Sequence, residues 1–121
     1  MIEYIEPEQA LAVIEKLGLR VRDRGLLFSA LARPSASMFG VDAYPTLEEK
    51  AAALISSLGQ NHPLFDGNKR LSLYLTFAFI RLNGFELTFT NEEAFDLVLG
   101  VAQSRLELEE IAEVIRVHIR L

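Results

Sequence analysis

Apolar residues recur at helical spacing in six blocks of this chain, and turn-forming residues separate the blocks. In the first block Ala10, Leu11, Val13, Ile14 and Leu17 follow Pro7, which suits a first helical turn, and Gly18 supplies a stop. In the second, Asp23 is placed to cap a helix carrying Leu26, Leu27, Ala30 and Leu31, and Pro34 ends it. Thr46 opens a capping box, T-L-E-E, with Glu49, ahead of Ala51, Leu54, Ile55 and Leu58. Pro63 biases His62 out of helical geometry, so this third helix ends at Asn61 or His62. The fourth block begins near Asn68 and stops at Asn83–Gly84. Its Leu71, Leu73, Tyr74, Leu75, Phe77, Ala78, Phe79, Ile80 and Leu82 cover every face, which predicts a central helix surrounded by the others. Thr90 opens a second box, T-N-E-E, with Glu93, before Ala94, Phe95, Leu97, Val98 and Val101. The last helix runs from about Leu108 to His118 on Ile111, Val114 and Ile115.

Two stretches break the helical rhythm. From Ser35 to Pro45, Gly40, Asp42 and Pro45 are turn residues among the apolar Met38, Phe39, Val41 and Tyr44, which predicts a loop or small hairpin. Phe85, Leu87 and Phe89 alternate with polar residues, as in a short strand or an extended link. No repeat or linker interrupts the pattern. The expected architecture is a single domain over residues 1–121, an all-α bundle wrapped around the Asn68–Leu82 helix, with a small hairpin.

Composition narrows the function classes. Half of the residues are hydrophobic, enough for a real core at this length. A net charge of −5 argues against a protein that coats nucleic acid through its phosphates, but leaves room for a local anion site. Without cysteine there is neither a disulfide framework nor a thiolate zinc site, as suits a reducing cytoplasm. The start, MIEYIEPEQ, is acidic where a secretory signal is basic. The uncharged run Leu71–Ile80 falls far short of the ~20 residues of a membrane-spanning helix. A cytoplasmic protein that engages neither membrane nor nucleic acid is expected.

The chemistry gathers in QNHPLFDGNKRLS, Gln60 to Ser72, at the mouth of the fourth helix. A helix start offers free N–H groups and a partial positive charge, so acidic residues are favoured there. Here the first turn carries Lys69 and Arg70, the wrong sign for helix stability. An anion at that place would reconcile them, bound by main-chain N–H groups, the Asn68 amide, Lys69 and Arg70, with Gly67 allowing close approach. A neutral imidazole, such as His62 offers, can take a proton from an attacking hydroxyl. Asp66 is a hard oxygen ligand of the kind that shares Mg²⁺ with phosphate. These are the parts that phosphoryl or nucleotidyl transfer requires. Singly, each has a plainer role: Asp66 as helix cap, His62 as a helix-terminal residue, Lys69 and Arg70 as solvated cations, Asn68 as a turn former. Their coincidence at one helix start is what points to chemistry. His118, with no partner nearby in sequence, reads as a surface or terminal residue.

His62–Pro–Leu–Phe–Asp66–Gly67–Asn68–Lys69–Arg70 resembles the signature loop of the Fic/Doc family, H-x-F-x-[D/E]-[G/A]-N-[K/G]-R, and meets six of its seven restricted positions. Leu64 stands where the family usually has phenylalanine, whose aromatic ring anchors the loop; Phe65 is adjacent. The segments R-D-R-G-L-L-F-S-A-L-A-R-P and F-I-R-L-N-G also look Doc-like. The resemblance implies a helical fold, ATP with Mg²⁺, His62 as general base, Asp66 as metal ligand, and Gly67, Asn68, Lys69 and Arg70 as the anion hole. It implies a flap near Phe39, Gly40, Val41 and Asp42 that aligns a target's extended segment, where the residues alone read equally as a packed loop. Lys69, in place of the glycine of AMP-transferring members, resembles the Doc branch. That branch implies a toxin kinase that phosphorylates a threonine of elongation factor Tu and blocks translation. An AMP transferase on the same site and a silent antitoxin-binding co-repressor are the alternatives. The family's self-inhibitory motif, [S/T]-x-x-x-E-[G/N], has no match, which implies an antitoxin acting in trans.

Overall fold

The computed structural model describes residues 1–121. Six helices form: α1 (Pro7–Lys16), α2 (Arg24–Ala32), α3 (Leu47–Asn61), α4 (Asn68–Leu82), α5 (Asn91–Ala102) and α6 (Leu108–His118). Local chemistry sets most of their ends. Asp23, Thr46 and Thr90 accept from the N–H groups of Leu26, Glu49 and Glu93 at 3.0, 3.1 and 3.1 Å. Glu93 also accepts from Thr90 N–H at 2.9 Å, closing the predicted capping box. A single 3₁₀ turn, Arg33–Ser35, follows α2 and buries Pro34. The Ser35–Pro45 stretch holds a hairpin of β1 (Ser37–Met38) and β2 (Val41–Asp42). Its turn residues Phe39 and Gly40 both take positive φ, 52° and 78°, as a two-residue hairpin turn demands. The alternating segment after α4 is a strand, β3 (Glu86–Leu87), paired antiparallel with β4 (Ile119–Arg120) at the end of the chain.

The fold is an all-α bundle around a central buried helix, and that helix is α3 rather than Asn68–Leu82. Every residue from Lys50 to Gly59 is buried, and α2, α4, α5 and α6 all pack on α3. The reason is size. Ala51, Ala52, Ala53, Ser56, Ser57 and Gly59 are small, so neighbours can close in on every side. At Gly59 a Cβ would lie only 3.0 Å from Val101 Cγ1. Helix α4 buries Leu71, Leu75, Phe79 and Ile80, but its large outer residues Tyr74 and Leu82 stay 47% and 41% exposed. Its surplus apolar face forms one wall of a groove of about 670 Å³, whose other wall is Phe89, Thr90, Asn91 and Ala94.

The end of α6 is latched to the start of α5 by His118. Its ring nitrogens meet Val114 O at 2.7 Å and the Glu93 carboxylate at 3.0 Å, and the ring packs on Phe89. The partner that the local sequence does not supply is 25 residues away. The bond to Val114 O, then that to Glu93, raises the His118 pKa above its ordinary 6.5. The Thr90 N–H, then His118, lowers that of Glu93 below its ordinary 4.5. The His118 contribution is complete below pH 6.5 and fades as pH rises through the raised value. The Glu93 contribution is complete above pH 4.5 and fades as pH falls through the lowered value. The thermal midpoint should therefore be higher at pH 6 than at pH 8, and His118→Gln should shrink that difference. An equal pH response in the variant would contradict the latch.

Candidate functional site

The motif loop begins where α3 ends. His62 takes a left-handed conformation, φ 51°, and stops the helix ahead of Pro63. The imidazole is exposed, while the His62 carbonyl accepts from Arg22 Nε at 3.0 Å and Nη2 at 2.6 Å. The same guanidinium reaches Asn61 O at 3.4 Å, so Arg22 neutralises the negative end of α3 and holds the histidine's backbone in place. Pro63 O accepts from Arg22 and Asp23 N–H at 2.8 and 3.0 Å, and Phe65 N–H donates to Arg20 O at 3.1 Å. With a bridge between Val21 and Leu64, the segment before α2 forms an antiparallel strap along the loop.

Leu64 is the anchor. It is 1% exposed within the core, whereas Phe65 is 66% exposed beneath the Arg20 guanidinium. The leucine at the family's aromatic position thus enters the core without help from its neighbour. Asn68 locks the turn: its Oδ1 accepts from Leu64 N–H at 2.9 Å and its Nδ2 donates to Leu64 O at 3.0 Å. From sequence the Asn68 side-chain amide is a candidate anion ligand; in the fold Leu64 engages its Oδ1 and one Nδ2 hydrogen, which leaves the second Nδ2 hydrogen and the main-chain N–H without protein partners. Gly67 is likewise required for another reason. Its φ is 85°, and a Cβ there would lie 2.8 Å from Leu19 Cδ2, so the glycine admits Leu19 beneath the loop.

Gly67 is the N-cap of α4 and provides no side-chain cap. The first helical N–H to find a carbonyl is that of Leu71, on Gly67 O at 2.9 Å. The N–H groups of Asn68, Lys69 and Arg70 thus point out of the helix start, as expected of a first turn. No acidic residue occupies that turn, whereas α1, α3, α5 and α6 each carry at least one and α2 has Asp23 as its cap. The dipole, three N–H groups and two cations in one turn make this helix start the candidate anion site. Arg70 also lines the groove beside α4, and Lys69 does not.

Asp66 is exposed just before the N-cap, and its Oδ1 accepts from Gly67 N–H at 2.9 Å. It does not cap α4. The chain has no group of three or more His, Cys, Asp or Glu able to hold a metal by themselves. A lone carboxylate suits Mg²⁺, which keeps waters and shares phosphate oxygens, better than a metal held wholly by protein.

No hydrogen bond joins the hairpin residues to the loop. Phe39 and Gly40 form its tip, Val41 is exposed, and Phe39 is 97% exposed. Asp42 turns inward, its Oδ2 3.2 Å from Lys50 Nζ on α3. Leu19, Arg22 and Lys50 have no role assigned from sequence. A lysine beside the apolar run Ala51–Ile55 is a signal in retrospect. Arg22 has none, since its contact lies 40 residues away.

A model of the Fic/DOC family matches residues 3–80, which include the strap, the hairpin, the whole motif loop and most of α4. The protein named Toxin Doc from Mycolicibacterium smegmatis is 44% identical over 117 residues, covering 93% of this chain and 90% of that protein. No helix is long and apolar enough to cross a membrane. On the family match and this similarity, the chain belongs to the Fic/DOC family.

Proposed function

We propose that this chain is the toxin of a toxin–antitoxin pair and transfers the terminal phosphate of ATP to a hydroxyl side chain of a target protein. The observation that carries this reading is the start of α4, whose first turn combines open N–H groups with Lys69 and Arg70 and holds no carboxylate. A transferring phosphoryl group spreads charge over three oxygens, and such a cradle matches it. ATP with Mg²⁺ supplies the phosphoryl group and neutralises part of its charge. Asp66 has a second carboxylate oxygen for the metal. His62, fixed through its carbonyl by Arg22, takes the proton of the attacking hydroxyl. Gly67 and Asn68 hold the loop so that the N–H groups converge. The Phe39–Asp42 hairpin offers backbone edges to an extended target segment. By its resemblance to the Doc branch, the target is a threonine of elongation factor Tu, and translation stops in the cytoplasm.

Incubation with labelled ATP and a bacterial lysate tests this. Label from the γ-phosphate on one protein supports phosphate transfer. Label from the α-phosphate with adenine retained replaces it with AMP transfer, and no label from either leaves the silent co-repressor.

The groove along α4 suits the antitoxin. Its apolar floor of Leu73 and Phe77 lies between Arg70 and Arg81, which favours an amphipathic segment with acidic flanks. Because Arg70 serves both sites, such a segment would shut the anion site. Tyr74→Glu on the groove should raise the antitoxin needed to relieve growth arrest at least ~10-fold, the scale of one charge repelled at an interface. Unchanged neutralisation would move the antitoxin elsewhere.

A further inference from the structure

The hairpin has little apolar attachment to the bundle, for residues 35–43 are all exposed. What ties it down is polar. Asp42 ends β2, Tyr44 follows in a bend, and both side chains reach polar groups of the bundle. Asp42 meets Lys50, and the Tyr44 hydroxyl accepts from Arg33 Nε at 2.9 Å. Arg33 is fixed in turn by Ser57 Oγ on α3 at 2.9 Å. Lys50 is 1% exposed, with Pro34 O 3.5 Å from its Nζ and the Tyr4 ring 5.8 Å away.

Burying a lysine carries a desolvation penalty that its partners only offset, and an apolar side chain of like volume is often as stable or more so. Stability therefore does not account for Lys50. Placement does. Lys50 and His62 sit twelve residues apart on one buried helix, ~18 Å along a rigid axis. The rod that ends at the base thus carries the hairpin's tether near its start.

We propose that Lys50 is a positioning residue which, through Asp42, holds the β1–β2 hairpin in fixed register with His62, so that a target segment paired to the hairpin presents its hydroxyl to the base. The proposal rests on the phosphotransfer reading and names what registers the target in it. The test uses the full chain with ATP, Mg²⁺ and purified elongation factor Tu.

Lys50→Met should raise KM for the elongation factor about tenfold. The kcat and the KM for ATP should stay within about twofold, because the anion site is untouched. The Ala43 amide, which donates to Ala36 O across the hairpin base, should exchange faster with solvent. Asp42→Asn should raise the same KM and add nothing in the Lys50→Met background, as expected of one shared contact. A wild-type KM for the elongation factor in Lys50→Met overturns the proposal. So does a loss of ATP turnover that tracks a fall in thermal midpoint, which would make Lys50 mere scaffold. If the wild-type chain transfers nothing, the phosphotransfer reading fails by itself. Ala43 exchange then decides the tether: faster in Lys50→Met supports it, and unchanged refutes it.

Discussion

His62→Ala should lower phosphate transfer by a factor of about 10² to 10⁴, the usual contribution of a general base, and growth arrest should vanish with it. The fold should survive. The imidazole is exposed, and the contacts that hold this position run from Arg22 to the His62 carbonyl, which any residue retains. One strain must be separated from the chemistry: the residue sits at φ 51°, where alanine is disfavoured. His62→Asn addresses it, because asparagine tolerates left-handed geometry and is no base at neutral pH. Both variants should keep the helical circular dichroism of the wild type and still bind ATP. If His62→Asn transferred γ-label at the normal rate, another residue would have to be the base.

Asn68→Ala should have the second large effect, and on a different quantity. Its amide occupies both the N–H and the C=O of Leu64, at 2.9 and 3.0 Å. Truncation leaves two main-chain groups at a largely buried turn without partners, at roughly 1–3 kcal/mol each. Because water can reach part of this turn, about 2–4 kcal/mol of the unfolding free energy should be lost, read as a shift in urea midpoint with unchanged slope. Asn68→Asp divides the two roles of this residue. It keeps an acceptor for Leu64 N–H and places a negative charge at a helix start, which favours folding. The same charge stands beside the anion site and repels an anion there, while the lost Nδ2–H bond to Leu64 O takes back part of the gain in folding. Asn68→Asp should therefore be more stable than Asn68→Ala and equally inactive. Transfer at the wild-type rate in Asn68→Asp would mean that no anion binds at this helix start.

The legible part of this protein lay where the determining interactions are short-range. Asp23, Thr46 and Thr90 cap helices through N–H groups three residues on, and each is readable from spacing. Pro63 and Gly84 mark ends because their effects are confined to adjacent backbone. The motif residues are contiguous, so their meeting in one loop required no knowledge of the fold. The hairpin was legible only as a choice between loop and hairpin, since turn residues announce a reversal without saying whether the arms will pair.

The illegible part turned on packing. Hydropathy favours α4 as the centre, because Leu and Phe outweigh Ala and Ser; shape favours α3, because only small side chains let four helices close on a fifth. The Leu64–Phe65 choice was equally hidden. Either could have entered the core, and the Val21–Leu64 bridge turned leucine inward. That the Asn68 amide also closes the turn on Leu64 was hidden too, because it depends on the path of the loop backbone.

By itself the sequence determined the extents of the six helices, the order of the motif and the cationic start of α4, since caps, prolines and neighbouring charges act within about one turn of helix. Only the tertiary structure decided which helix is central, that Arg22 holds the His62 carbonyl, that His118 finds Glu93, and that a buried Lys50 pairs with Asp42 of the hairpin. Those outcomes depend on surfaces brought together by the packing of whole helices, and no local preference encodes which surfaces will meet.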